Sequence, residues 1–388
     1  LPTIADRDME IQRRENDLVL GTFGRSFYVL DNYAPLRDIN EDFLAQEAGI
    51  LPVKDALMYI ERTDIGLRSK GHLGSSYYTA SNPKPGAVFT YYLKESILTL
   101  EEERQKREKD TEDDVYPSKE ELQAEAQQEK PYLLFTIRNS QGEVVRHIKT
   151  SAKKGLKRIT WDMRHNTPAP VVGRYTPPAD VLFGSAELGH LARPGQYSVV
   201  LSKYVDGELT KLTEPVSFEL KHLNQSSMPA TDWAAYDDFV GKVADIRKAF
   251  SAANNIRGEM TRNLRHLQTA IQDMPAAAGG LLEQASQLRS QLQDINLKMN
   301  GNRTLARHQF ETPPSIGSRI GRCEYGMWRV TSEPTQVYLD AYRIAAQEFG
   351  PVLSELKRIA TEMEALEKQL ELNNAPYTPG RWPQWTEE

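Results

Sequence analysis

The sequence predicts a multidomain β + α chain, with short strands first and long helices last. Three observations carry this. Two short apolar runs flank Gly24 within residues 17–31, and further short runs separated by turn residues fill residues 46–222. From residue 232 to 373 the apolar side chains recur at spacings of three and four instead. Short runs bounded by turn residues argue strands, and a period near 3.6 argues amphipathic helices. The predicted regions are terminal strands at 1–45 and an antiparallel β-sandwich at 46–225 with a charged insertion at 98–130. A helical bundle follows at 226–388, with an extended Pro/Trp-rich tail.

In the first region, residues 17–22 and 26–31 read as a hairpin turning at Gly24-Arg25. A lone hairpin is marginal in water. These strands are therefore expected to pair with strands of another chain or another fragment, as the last piece of an array. In the second region the strand candidates are 87–93, 132–138, 144–148, 156–163, 195–203 and 216–220. Asn139-Ser140-Gln141-Gly142 and Asp206-Gly207 supply turns, and no helix of crossover length intervenes, which favours antiparallel pairing. Residues 101–130 are dense in Glu, Lys and Arg and read as a solvated, partly helical excursion.

In the third region, one stripe runs through Phe239, Val243, Ile246, Phe250, Met260, Leu264 and Ile271. A second runs from Leu281 to Met299 and a third from Phe349 to Leu370. Asp232 is the expected N-cap of the first helix, residues 275–280 break it from the second, and Gly350-Pro351 is expected to kink or restart the last. Residues 312–328, rich in Gly, Pro and aromatics, read as a long connection.

Composition excludes several classes of function. A net charge of −6 gives no polyanion footprint, so no nucleic-acid partner is expected. No stretch approaches the roughly 20 apolar residues of a transmembrane helix, so no transmembrane segment is expected. The single cysteine, Cys323, permits no intrachain disulfide. The seven histidines fall at no HxxxH or HExxH spacing, and G-x-S-x-G, P-loop and dinucleotide fingerprints are absent. No catalytic residue, metal ligand or cofactor is therefore assigned. Gly71-His72-Leu73-Gly74-Ser75-Ser76 reads as a loop entering the β-region, and Asp162 as a partner of Arg164 or of backbone amides.

The residues do carry a resemblance. Asp17-Leu18-Val19-Leu20-Gly21-Thr22-Phe23-Gly24-Arg25-Ser26-Phe27-Tyr28-Val29-Leu30-Asp31 resembles the final blade of bacterial sortilin-like, BNR-repeat β-propeller proteins, often labelled glycosyl hydrolases. Their pattern is close to D-L-V-x-G-T-H-G-R-x-[FW]-x-[VI]-L-D-[DN], and here Phe23 stands where the usual His would be. Pro83 to Ala87, Thr160-Trp161-Asp162-Met163-Arg164 and Arg193-Pro194-Gly195-Gln196-Tyr197 are similar to an immunoglobulin-like domain of that family, itself like one in flagellar hook-cap proteins. Pro314 to Gly321 and Tyr377 to Pro383 match the family's C-terminal end.

The resemblance implies an exported protein of the periplasm, outer-membrane surface or extracellular space. Its partners would be an upstream propeller part of the same protein and a further envelope protein. Three functional readings follow: a non-catalytic binding or scaffolding region; an accessory region of a propeller glycoside hydrolase whose active site lies upstream; and a structural module of a cell-surface assembly. No Asp-box of the form S-x-D-x-G-x-[TS]-W is present to favour the second. The candidate structural or interaction residues are Phe23, Arg25, Trp161, Asp162, Arg319 and Trp328. Limited proteolysis is expected to cut first between Glu101 and Lys130, since charged, solvated segments are the usual sites of nicking. Survival of that segment while other loops are cut would show it docked.

Overall fold

Strands and helices segregate along the chain as their periods require, giving a mixed β and α structure in the computed structural model. It describes residues 3–59, 80, 82–110, 116–171, 188–223, 230–274, 279–383 and 385. The chain divides into one unit of Leu1–Asn166 with Leu191–Gln225 and another of Thr167–His190 with Ser226–Glu388.

The first unit begins with an antiparallel meander of β1 (Asp6–Gln12), β2 (Asp17–Thr22) and β3 (Phe27–Leu30). Gly24 and Ser26, at φ 74° and 64°, turn the chain between β2 and β3. Residues 17–31 find one strand neighbour within this chain, β1, which the sequence reading did not place, and β3 has no outer strand neighbour among the described residues. The sequence Asp6-Arg7-Asp8-Met9-Glu10-Ile11-Gln12 hides a strand because only Met9 and Ile11 mark its apolar side.

A 3-10 turn (Ala34–Asp38) and a short helix α1 (Glu41–Ala45) follow, the latter capped by Asn40, whose side chain accepts from Phe43 N. Two further sheets build the core of this unit. One is β4 (Ala48–Ile50), β6 (Ala87–Leu93) and β9 (Gly155–Trp161), in the order β4-β6-β9. The other runs β5 (Ala56–Met58), β12 (Val216–His222), β10 (Gly195–Val205), β7 (Tyr132–Asn139) and β8 (Val144–Ser151), with β11 (Glu208–Lys211) on β10. All these pairs are antiparallel except β12 with β5.

Both sheets feed one apolar cluster. Tyr91 meets Phe135 edge-on at 5.0 Å, and Trp161, fully buried, packs at 5.2 Å from Tyr197 and 6.0 Å from Phe218. Aromatic contacts in these geometries add to the burial of area.

The charged insertion folds into α2 (Leu100–Asp110) and α3 (Lys119–Gln127). Neither helix buries a residue. Arg104 holds Glu125 by a fork at 2.6 and 3.0 Å and reaches Glu108 at 2.7 Å. Ser118 and Glu121 close a capping box on α3.

In the second unit α4 (Trp233–Gln272), α5 (Gly279–Asn300) and α8 (Gln336–Leu372) share one core. Residues 273–278 join the two helices, and Asn254 within α4 bonds Asn300 at the far end of α5, so the helices run in opposite senses. Asp232 caps α4 as expected, accepting from Ala234 N and Ala235 N. Gly350-Pro351 does not restart the last helix, because α8 runs through Pro351 unbroken. Phe349, Val352 and Leu356 stay in phase on its buried face, and this packing offsets the roughly 3 kcal/mol cost of an interior proline.

The connection expected over 312–328 is also corrected, since Ile316–Met327 forms α7 after a short α6 (Arg303–Arg307). Ser315 caps α7 by accepting from Ser318 N. Its glycines allow close approach rather than a break: a Cβ on Gly317 would lie 2.9 Å from the Met299 carbonyl and the Phe250 ring. The turn at Gly86 is more constrained still. Its φ is 138°, and a Cβ there would sit 2.0 Å from the Trp161 carbonyl oxygen. Gly86→Ala is expected to destabilise the first unit by about 2–4 kcal/mol in urea unfolding, since backbone rather than a movable side chain is in the way. A change below about 0.5 kcal/mol would contradict this packing.

Candidate docking surface

The meander β1-β2-β3 combines exposed apolar side chains with open strand edges. The register aligns Met9 with Leu20 and Tyr28, and Ile11 with Leu18 and Leu30. Side chains alternate across a strand, so these six share one face. Glu10, Val19 and Val29 share the other, with Phe27 two residues further along. Leu20 is buried on the first face, but Met9 is 60% exposed. On the second face Phe27 is 74% and Val29 51% exposed. Every residue of β1 is exposed.

Among the described residues neither β1 nor β3 has a second strand neighbour. Their outer backbone groups form open edges of the kind that other strands pair with. Beside β1 lies a cleft of about 340 Å³ whose lining includes Met9, Glu10, Ile11, Arg13, Tyr33 and Arg37.

The meander is anchored by few groups. Asp17 accepts from Asn32 N at 2.8 Å. Arg158 of β9 donates to the carbonyls of Asp31 and Asn32 at 2.6 and 2.8 Å. Glu15 pairs with Lys54, whose hydrogen bond holds the carboxyl below the usual carboxylate range against a smaller opposing effect of burial.

The residues singled out from the sequence do not form one site. Phe23 and Arg25 lie in the β2–β3 turn, both exposed, and Arg7 stacks over the Phe23 ring at 4.5 Å. Trp161 donates its indole N–H to the Arg164 carbonyl at 2.8 Å, and Asp162 accepts from Arg164 N at 3.2 Å. With Met163 at φ 59°, they shape the turn that ends β9. Arg319 on α7 lies 3.9 Å from Glu348. Trp328 is buried at the end of α7, with its ring centroid 6.3 Å from that of His190. Cys323 is buried in the same cluster, and desolvation pushes its thiol up to about 11, so it stays protonated at neutral pH.

The surface residues that sequence reading passed over are Met9 and Ile11; Phe27 and Val29 entered only as part of the blade-like run, not as surface residues. The alternation of Met9 and Ile11 between charges is the signal that could have revealed β1. Gly71 to Ser76 lies outside the described residues. No described helix is long and apolar enough to cross a membrane. No family model, curated protein or solved structure matches the chain.

Residues that only face solvent contribute little to stability, whereas buried ones contribute kilocalories. Phe27→Ser and Val29→Ser are expected to change unfolding free energy by less than about 0.5 kcal/mol each. Leu20→Ala should cost about 2 kcal/mol or more. Equal costs at all three positions would mean that Phe27 and Val29 are packed rather than available.

Proposed function

We propose that this chain is the C-terminal region of an exported β-propeller protein and acts without catalysis, in protein or ligand binding and scaffolding at the cell envelope. The observation that carries the reading is the β1-β2-β3 meander, with open edges on both sides and exposed Phe27, Val29 and Met9. A terminal propeller blade needs those features, because neighbouring blades cover its faces and a further strand completes its sheet. The blade-like run from Asp17 to Asp31 occupies β2, the turn and β3.

The two sheets of the β-rich core support an immunoglobulin-like module in this reading. They share one cluster in which Trp161 packs against Tyr197 and Phe218. A buried Trp between two antiparallel sheets is a recurrent feature of such sandwiches. The helical unit would then be a brace or a partner surface. Phe23, in place of the propeller family's His, is exposed beside Arg7 and carries no proton-transfer chemistry.

The test is hydrogen exchange on this chain and on a longer one that carries the propeller. In this chain the amides of β1 and β3 should exchange fast. In the longer chain the amides of β1 and β3 should be protected by at least about tenfold, because strand pairing closes the edges. Unchanged exchange would overturn the blade assignment. Turnover by the longer protein of any member of a broad glycoside panel would overturn the non-catalytic part.

A further inference from the structure

Between α4 and α5 the helical unit carries a groove of about 250 Å³ whose charge is of one sign. Arg257 and Arg265 line it from α4, Arg289 from α5, with Thr261, Gln268 and Asn296 between them. Leu264 and Leu292, both buried, form its floor. No Asp or Glu lines it, and none of the three arginines is ion-paired among the described residues. Elsewhere on the helices arginines do find carboxylates: Arg247 with Glu324, Arg319 with Glu348, and Arg358 with Glu355 and Glu362.

The groove is also ordered from beneath. Asn300 Nδ2 donates to Asn254 Oδ1 and to Asn296 Oδ1, each at 2.9 Å. Asn254 Oδ1 in turn accepts from Arg257 Nε at 3.3 Å. This amide relay uses one nitrogen of the Arg257 guanidinium, Nε. Its two terminal nitrogens bond no acceptor among the described residues. Burial works against the charge of Arg257, lowering its pKa, with no carboxylate to offset the effect. Arg265 lies eight residues further along α4, about 12 Å along the axis, and Arg289 faces it from α5. Guanidinium forks match the geometry of phosphate oxygens, and Gln and Thr side chains supply neutral polar contacts between the charged ends.

We infer that the α4–α5 groove is a binding site for a small soluble phosphate-bearing ligand, held at one end by Arg257 and at the other by Arg265 and Arg289. The ligand replaces the counter-charge that the fold does not provide. The site is independent of the propeller reading, since it lies wholly within the helical unit.

The experiment is isothermal titration of the 388-residue chain with inorganic phosphate and with tripolyphosphate at near-physiological salt. Vesicles containing phosphatidic acid form a separate arm. Arg257→Gln, Arg289→Gln and Arg262→Gln are compared after circular dichroism has verified their helicity. Arg262 is exposed on α4 and does not line the groove. Saturable binding of tripolyphosphate is expected, weakened about tenfold or more by Arg257→Gln and by Arg289→Gln and unchanged by Arg262→Gln. Absence of saturable binding to both soluble anions overturns the assignment, as does equal weakening by Arg262→Gln. Binding to vesicles with none to tripolyphosphate also overturns it, since the ligand would then be a lipid surface.

Discussion

The fold of the β-rich unit depends on the burial of Trp161. Its ring fills the space between the two sheets, against Tyr197 on β10 and Phe218 on β12. An indole brings a polar N–H with it, and a buried donor without a partner costs about 1–3 kcal/mol. The Arg164 carbonyl meets that demand, which requires the chain to reverse immediately after β9. Met163 adopts a left-handed conformation to do so, and Asp162 secures the turn through Arg164 N. On the neighbouring strand the Trp161 carbonyl lies so close to Gly86 that no side chain fits there. One large residue thereby dictates a turn, a strained backbone position and a glycine.

Much of this arrangement was legible in the sequence. The strands at 87–93, 132–139 and 195–205 stand close to where apolar runs and turn residues place them, because each buries enough side chain to leave a pattern. The stripes of α4, α5 and α8 were legible for the same reason. Short or exposed elements were not. The strands β4 and β5 have three residues each, too few for any period to show. Strand β1 is exposed throughout, so only two apolar residues mark it.

Helix α7 was hidden for a different reason. Glycine is ordinarily a helix breaker, and the run from Ser315 to Gly326 holds three of them. Gly317 lies against the Met299 carbonyl, and a Cβ on Gly326 would meet the Tyr338 ring. Tertiary contact therefore selects glycine where local propensity disfavours it. The α4–α5 groove was illegible because its arginines come from positions 257, 265 and 289, which acquire a common meaning only when two helices run side by side. The docking surface was half legible: residues 17–31 carried a pattern, but what distinguishes them is the exposure of their faces, a property of the folded chain.

The two unspent surfaces differ in kind, and the difference governs what each implies. Arginines in a groove can be hydrated when no ligand is bound, so their lack of a carboxylate is a preference for an anion rather than a defect. An apolar strand face has no such recourse. Each exposed square ångström of carbon costs about 25 cal/mol relative to burial, and open strand edges invite pairing with whatever chain is near. Phe27 and Val29 stand on β3, one of the two edge strands, so exposed side chains and unpaired backbone coincide there. Charged residues on β1 (Asp6, Arg7, Asp8 and Glu10) guard the opposite edge against indiscriminate pairing. Strand β3 carries no charged side chain, so of the two open edges it is the one without such a guard.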